Sequence, residues 1–211
     1  MAALPTAAED YLKVIYTHTE WQAQPISTTG LAARLGLAAS SVTEMVKKLV
    51  ALGLVSHQPY GAIELTDEGT AEALRMVRRH RLIETWLVDT IGYSWDEVHD
   101  EAEVLEHTMS DRLLDAIDDQ LGRPSRDPHG DPIPDRDGGV FIPDARLLAM
   151  LETGESGSVV RISDRDPLLL RHLDAEGVTL DAVVTRTNEG CRLANAHLVP
   201  EAVNSIWVAS T

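Results

Sequence analysis

Imidazoles and carboxylates recur at helical spacing in the middle of the chain, in His99-Asp100-Glu101-Ala102-Glu103-Val104-Leu105-Glu106-His107. The stretch reads as helix, and at about 100° per residue His99, Glu103, Glu106 and His107 fall within an arc of roughly 100°. Imidazole and carboxylate on one face suit a borderline-to-hard divalent cation such as manganese, ferrous iron or zinc, and the stretch holds no soft thiolate. A second pair, His80 and Glu84, stands at the same i, i+4 spacing on the preceding predicted helix. Antiparallel packing of the two helices would bring five or six ligand-type side chains together. A solvated acidic face is the plain alternative for any single Glu-rich helix, and repetition of the pattern tells against it.

The elements that must hold these groups follow from the rest of the chain. Its 211 residues allow one or two domains, or three small ones, with enough chain to bury a core. No stretch reaches the roughly 18 apolar residues of a membrane helix, and the N-terminus lacks a basic region followed by an apolar run, so a soluble cytoplasmic protein with no membrane partner is expected. Cys191 is the only cysteine, which excludes intrachain disulfides and thiolate clusters and suits a small buried apolar residue. The net charge of −16 argues at first sight against nucleic acid, because phosphate contacts want Lys and Arg. The acid is unevenly spread: residues 77–140 carry 7 basic and 16 acidic side chains, against 5 and 8 in residues 1–76. Divalent ions bound in the middle region would cancel part of that charge and weaken repulsion of DNA.

Residues 6–20 read as a first helix with Tyr11, Leu12, Ile15 and Tyr16 as its apolar stripe, and with Glu9 and Asp10 in the first turn, where the helix dipole favours acids. Ser27 or Thr28 can cap a short helix running to Leu35, Gly36 makes the turn, and Ala38 to Leu52 forms a second helix ending at Gly53. Helix, glycine-containing turn and helix of these lengths make a helix-turn-helix. Leu31, Leu35, Val42, Val46 and Leu49 supply its buried stripe, leaving Ala39, Ser40, Ser41, Thr43, Glu44, Lys47 and Lys48 outside. The small and hydroxyl residues allow close approach to a groove, and the two lysines can reach phosphates. A merely solvated face is the competing reading. Leu54–His57 and Ala62–Leu65 alternate around Pro59-Tyr60-Gly61, predicting a two-stranded wing, and Thr66 caps the next helix.

The winged helix, then Arg79-His80-Arg81-Leu82-Ile83-Glu84, then His99-Asp100-Glu101-Ala102-Glu103 through Glu106-His107, then Asp127-Pro128-His129-Gly130-Asp131-Pro132-Ile133-Pro134 resemble, in this combination, the metal-dependent repressors of the diphtheria-toxin-repressor family, most closely its actinobacterial manganese-responsive branch. The resemblance covers residues 6 to about 137 without an evident gap and the remainder more loosely. It implies a homodimer on double-stranded operator DNA and two metal sites per subunit. Carried over by position, Asp10, Glu103, Glu106 and His107 form the regulatory site; His80, Glu84 and His99 form the ancillary site, to which Asp164 or Asp166 of the C-terminal part would add. Ligation of Asp10 would tie the N-terminal helix to the metal domain and act as the switch. Iron-responsive members have Met where this chain has Asp10 and Cys where it has Glu103. The all-oxygen-and-nitrogen set favours Mn(2+), with Fe(2+) as the alternative. Some shorter manganese sensors carry a further Glu where this chain has Lys13, which puts a binuclear arrangement of their kind in doubt.

A helix from about Asp96 to Leu121 carries Val98, Leu105, Met109, Leu113, Leu114 and Ile117, more apolar positions than one small interior needs, and resembles the family's dimer interface. Pro124 to Gly139 reads as an ordered loop becoming a linker. Short segments follow at Ser158–Ile162, a helix through Leu168–Leu173, Val178–Val184 and Ile206–Val208, similar to the small SH3-like barrel of the family. The expected fold is therefore mainly α with a small β part: a winged-helix DNA-binding domain at 1–75, a helical dimerisation and metal-binding domain at 76–140, a linker at 141–153 and an SH3-like (FeoA-like) domain at 154–211. The expected function is a manganese-dependent repressor of metal-homeostasis genes. Two other classes compete: a metallohydrolase, disfavoured because HExxH, G-x-S-x-G and a phosphate loop are all absent and both sites use up the acids that would serve as general base, and a winged-helix regulator sensing an organic ligand. No catalytic residue is expected.

Overall fold

A computed structural model describes residues 4–22, 24–58, 61–193 and 196–210. The chain divides into two compact units, Met1–Arg79 with Pro134–Gly139, and His80–Ile133 with Val140–Thr211.

The first unit begins with α1 (Thr6–Glu20), which buries Ala8, Tyr11, Leu12 and Ile15 on one stripe. In α2 (Thr28–Leu35) the Ser27 hydroxyl accepts the Gly30 amide at 3.1 Å, satisfying one of the amides that a helix start leaves unpaired. The helix ends at Gly36, whose φ of 65° lies in the left-handed region that a side chain disfavours. Next comes α3 (Ala39–Ala51), with Val42, Val46 and Leu49 turned inward against Leu12, Ile15 and Leu31 in one apolar cluster. The wing is the antiparallel pair β1 (Val55–His57) and β2 (Ile63–Leu65), with Val55 opposite Leu65 and His57 opposite Ile63. Pro59 and Tyr60, expected in its turn, lie outside the described residues. The Thr66 hydroxyl accepts the Gly69 amide and starts α4 (Asp67–Trp86).

In the second unit the chain leaves α4 through a wide π turn, Leu87–Ile91, closed by Gly92, and enters α5 (Val98–Leu105) and α6 (Asp111–Gln120). The single helix expected over Asp96–Leu121 is thus two. The amides of Thr108 and Met109 both bond back to the Leu105 carbonyl, and Ser110, extended at ψ 149°, caps α6 by accepting the Leu113 amide. A hydroxyl followed by an acid at 110–111 is itself a start signal that competes with helix continuation. Leu82, Ile83, Leu87, Val98, Ala102, Leu114 and Ile133 form the core here, while Val104 and Leu113 stay exposed.

The C-terminal sheet is antiparallel in the order β3-β8-β4-β5-β6-β7, from β3 (Arg146–Leu147), β4 (Ser156–Ile162), β5 (Val183–Thr187), β6 (Gly190–Leu193), β7 (Ala196–His197) and β8 (Ile206–Ser210). Across it lies α7 (Pro167–Ala175), whose first amides bond to the Asp166 carboxylate. This is the SH3-like part. Its β3, and the buried Leu148 and Leu151, fall inside the stretch expected to be linker, because two apolar side chains there complete the core of the sheet. The segment read as Val178–Val184 becomes strand only from Val183. Val178 and Cys191 instead fill the interior.

Candidate metal centre

The i, i+4 spacing on α4 puts His80 above Glu84, and both are buried. Across from them α5 presents His99 near its start, and the turn after α5 presents Glu106 and His107, so the last two owe their position to a turn where helix was expected. Nδ1 of His80 lies 2.6 Å from Glu106 Oε2, and its Nε2 lies 2.9 Å from Glu84 Oε1 and 3.1 Å from His99 Nδ1. Nδ1 of His99 is 3.3 Å from Glu84 Oε1, and His107 Nε2 is 3.2 Å from Glu106 Oε1. His80 therefore bridges the two carboxylates. Glu103, assigned by resemblance beside Glu106 and His107, is grouped here with His80 and His99, its carboxylate 3.7 Å from His99 Nε2. Asp164 reaches within 3.9 Å of His99 Nδ1, whereas Asp166 is occupied as the cap of α7. Asp10 is half-buried on α1 of the first unit.

A third group joins Glu84 to two residues that the sequence motif contains without their being read as ligands: Glu84, Asp127 and His129, all buried, offer one ligand atom each within 4.8 Å of one another. The missed signal was the Asp-Pro-His-Gly-Asp run itself, since acid and imidazole two residues apart in a Pro/Gly turn fold back on one another. Asp127 Oδ1 accepts the amides of His129 and Asp131, at 2.9 Å each. His129 Nε2 donates to the Trp95 carbonyl at 3.0 Å, which leaves Nδ1 buried without a hydrogen-bond partner among the described residues. A buried, unpaired ring nitrogen beside two carboxylates is costly unless something else occupies it, and a cation fits that demand.

Electrostatics agree. Burial works to raise the Glu84 carboxyl, but His80 and His99 hold it well below its ordinary range. Asp127 is pushed up to about 8 by burial and by the charges of Asp131 and Glu84. Burial works to lower the His129 imidazole, yet Asp127 and Glu84 raise it. The pocket thus draws positive charge inward, and imidazole with carboxylate suits a divalent ion of the manganese-to-zinc series.

On the other functional face, Ala39, Ser40, Ser41, Thr43, Glu44, Lys47 and Lys48 are all exposed along α3. The Thr43 hydroxyl bonds back to the Ala39 carbonyl, and Lys47 pairs with Glu44 at 2.7 Å. No described helix is long and apolar enough to cross a membrane.

Comparison with known proteins finds three family matches along the chain. Residues 3–63 match the family described as the iron-dependent repressor N-terminal DNA-binding domain, residues 66–135 its metal-binding and dimerisation domain, and residues 146–196 the FeoA domain. The iron-dependent repressor IdeR of Mycobacterium leprae is 34% identical over 198 residues, covering 88% of this chain and 85% of that protein. The IdeR of Mycobacterium tuberculosis is 37% identical over 134 residues, and the match spans 58% of its length. A solved manganese-dependent transcriptional repressor in complex with manganese is 49% identical, with a TM-score of 0.91 over 97% of this chain and all of that one.

Proposed function

Because the chain belongs to the diphtheria-toxin-repressor family of metal-dependent transcriptional repressors, which are not enzymes, we propose that manganese is the ion it reads. The observation that carries this reading is the donor set. Every candidate ligand is an imidazole or a carboxylate, with no thiolate among them; His80, Glu84, Glu106, Asp127 and His129 are buried, and the Nδ1 of His129 is orphaned. Manganese tolerates several oxygen ligands, whereas thiolate sites select later, softer metals. The likeness to a repressor solved in complex with manganese supports the same choice. Iron remains the second reading, carried by the iron-dependent relatives.

In this reading each subunit takes two ions and pairs as a homodimer, within the boundaries expected from sequence: 1–75 for DNA, 76–140 for metal and dimerisation, and an SH3-like part after a linker. Glu106 and His107 with Asp10 would hold the regulatory ion; the resemblance assigns Glu103 there too, while its carboxylate lies beside His99 of the other site. His80, Glu84, His99 and Asp164 hold the other, with Asp127 and His129 as further ligands. When bound, the ions supply positive charge and fixed bonding directions. The chain's own residues do the rest. Glu106, which bonds to His80 here, would be a ligand of that ion, and Asp10 would be the ligand that α1 contributes, tying the N-terminal helix to the metal domain. Ser40 and Ser41 then face base edges of an operator while Lys47 and Lys48 hold phosphates.

The experiment is equilibrium binding to operator DNA, anaerobically, at saturating manganese, iron or no metal. Binding should be tight with manganese and absent without metal. His107→Ala should abolish the response while the fold survives, and His80→Ala should only raise the metal required. Full activation by iron with manganese inert would replace the first reading by the second.

A further inference from the structure

The C-terminal sheet grips the ligand-bearing turn at residues 127–131 through a buried ion pair, and we propose that Arg161 and Asp131 are positioning residues for the inner metal ligands, Asp127 and His129 beside Glu84. Arg161 Nε donates to Asp131 Oδ1 at 2.7 Å, and both side chains are more than nine-tenths buried. The guanidinium also lies 4.4 Å from the centre of the Trp207 ring, which holds its plane against β8. The arrangement depends on an irregularity in β4. Val159 faces Val208 and Arg161 faces Trp207, leaving Val160 as an extra residue, so the strand bends where the turn arrives.

Two backbone contacts finish the docking. The Ile162 amide donates to the His129 carbonyl at 2.8 Å. Gly130, at φ 93°, presses so close to β4 that a Cβ there would stand 2.0 Å from the Val160 carbonyl oxygen. Only glycine fits. Asp131 is in turn the residue whose amide and carbonyl close the turn on Asp127, through Asp131 N to Asp127 Oδ1 and Asp127 N to Asp131 O, each 2.9 Å. On the inner side Arg81 donates to the Pro132 carbonyl and lies 3.7 Å from the carboxylates of Asp127 and Asp131.

A guanidinium on β4 therefore fixes one end of a five-residue turn whose other members, Asp127 and His129, point ligand atoms at Glu84. The chain leaving β4 after Ile162 reaches Asp164, three residues past Arg161. The sheet thus sets ligands from two segments at once without Arg161 touching an ion. Groups that orient ligands typically carry 10–100-fold in metal affinity.

This rests on the metal reading above, and the test separates the two. Manganese binding is titrated in the full-length chain on a His107→Ala background, so that the inner site is read alone, with Arg161→Met, Gly130→Ala and Asp131→Asn each added. Amide exchange of Ile162 is followed in the metal-free proteins. We expect each variant to weaken manganese binding at least 10-fold, to speed Ile162 exchange, and to leave exchange in the α3 interior unchanged. Gly130→Ala is the decisive variant, since it undocks the turn without altering a ligand or a charge. Faster Ile162 exchange with unaltered manganese affinity would overturn the positioning role. Absence of manganese binding in the His107→Ala parent, with Glu84→Gln equally inert, would instead remove the inner metal site itself.

Discussion

The winged helix and the ligand region bury opposite kinds of side chain. In the first, Leu12, Leu31, Val42 and Leu49 are fully buried, and the residues proposed to meet DNA sit outside on α3. In the second, Glu84, Glu106, Asp127, His129, Asp131, Arg81 and Arg161 are themselves interior. Function is thus an exterior graft in one region and part of the core in the other. Burying so many ionisable groups costs stability unless each is paired, so the ligand region depends on its partners, and on an ion, in a way the winged helix does not.

That contrast can be broken at several points. Leu49→Ala should be the costliest change, lowering stability by about 2–5 kcal/mol through the cavity it leaves in an apolar core, as read by denaturant unfolding, with manganese affinity unaltered. Manganese at about 100 times its dissociation constant should stabilise the ligand region by about 2.7 kcal/mol per ion, seen as slower amide exchange over α4 to α6. Equal slowing in the interior of α3 would mean the two regions respond as one body.

A smaller effect is expected from Arg126→Ala, which removes the bidentate pair with Asp181 on the surface of the second unit. The guanidinium holds the Asp181 carboxyl below its ordinary range, so the pair's contribution is present above the unfolded carboxylate pKa of about 3.9 and is lost as pH falls through the lowered folded value. Solvent screening limits it to at most about 1 kcal/mol, and the variant and parent should converge in stability at acid pH. Smallest of all in stability is Lys47→Ala, whose exposed pair with Glu44 carries little. Its thermal midpoint should not move, while operator affinity falls for all sequences alike and the salt slope drops by about one phosphate. An unchanged slope would detach α3 from the phosphate backbone.

The winged helix was legible almost to the residue. Its signals are local: the Ser27 and Thr66 hydroxyls accept amides within a turn of themselves, Gly36 donates its own amide to carbonyls of the turn before it, and the apolar period of α3 needs only one face to bury. The ligand types were legible too, because His80 with Glu84 and His99 with Glu103 stand at the spacing of a helical turn. Local signals misled where two of them competed, as at Ser110, which starts a new helix where the apolar pattern carried a single one onward.

What the chain by itself determined was therefore the order of its elements, the chemistry of its donors and the exterior of α3, all consequences of interactions a few residues long. Only the tertiary structure decided which donors meet: that His80 bridges Glu84 and Glu106, that Glu103 turns to His99, that Asp127 and His129 join Glu84, and that β3 completes the C-terminal sheet. Apart from the two i, i+4 pairs, His80 with Glu84 and His99 with Glu103, those pairings join residues tens of positions apart, and no periodicity records them. They are settled by which buried charge finds a partner and which strand edge finds amides to bond.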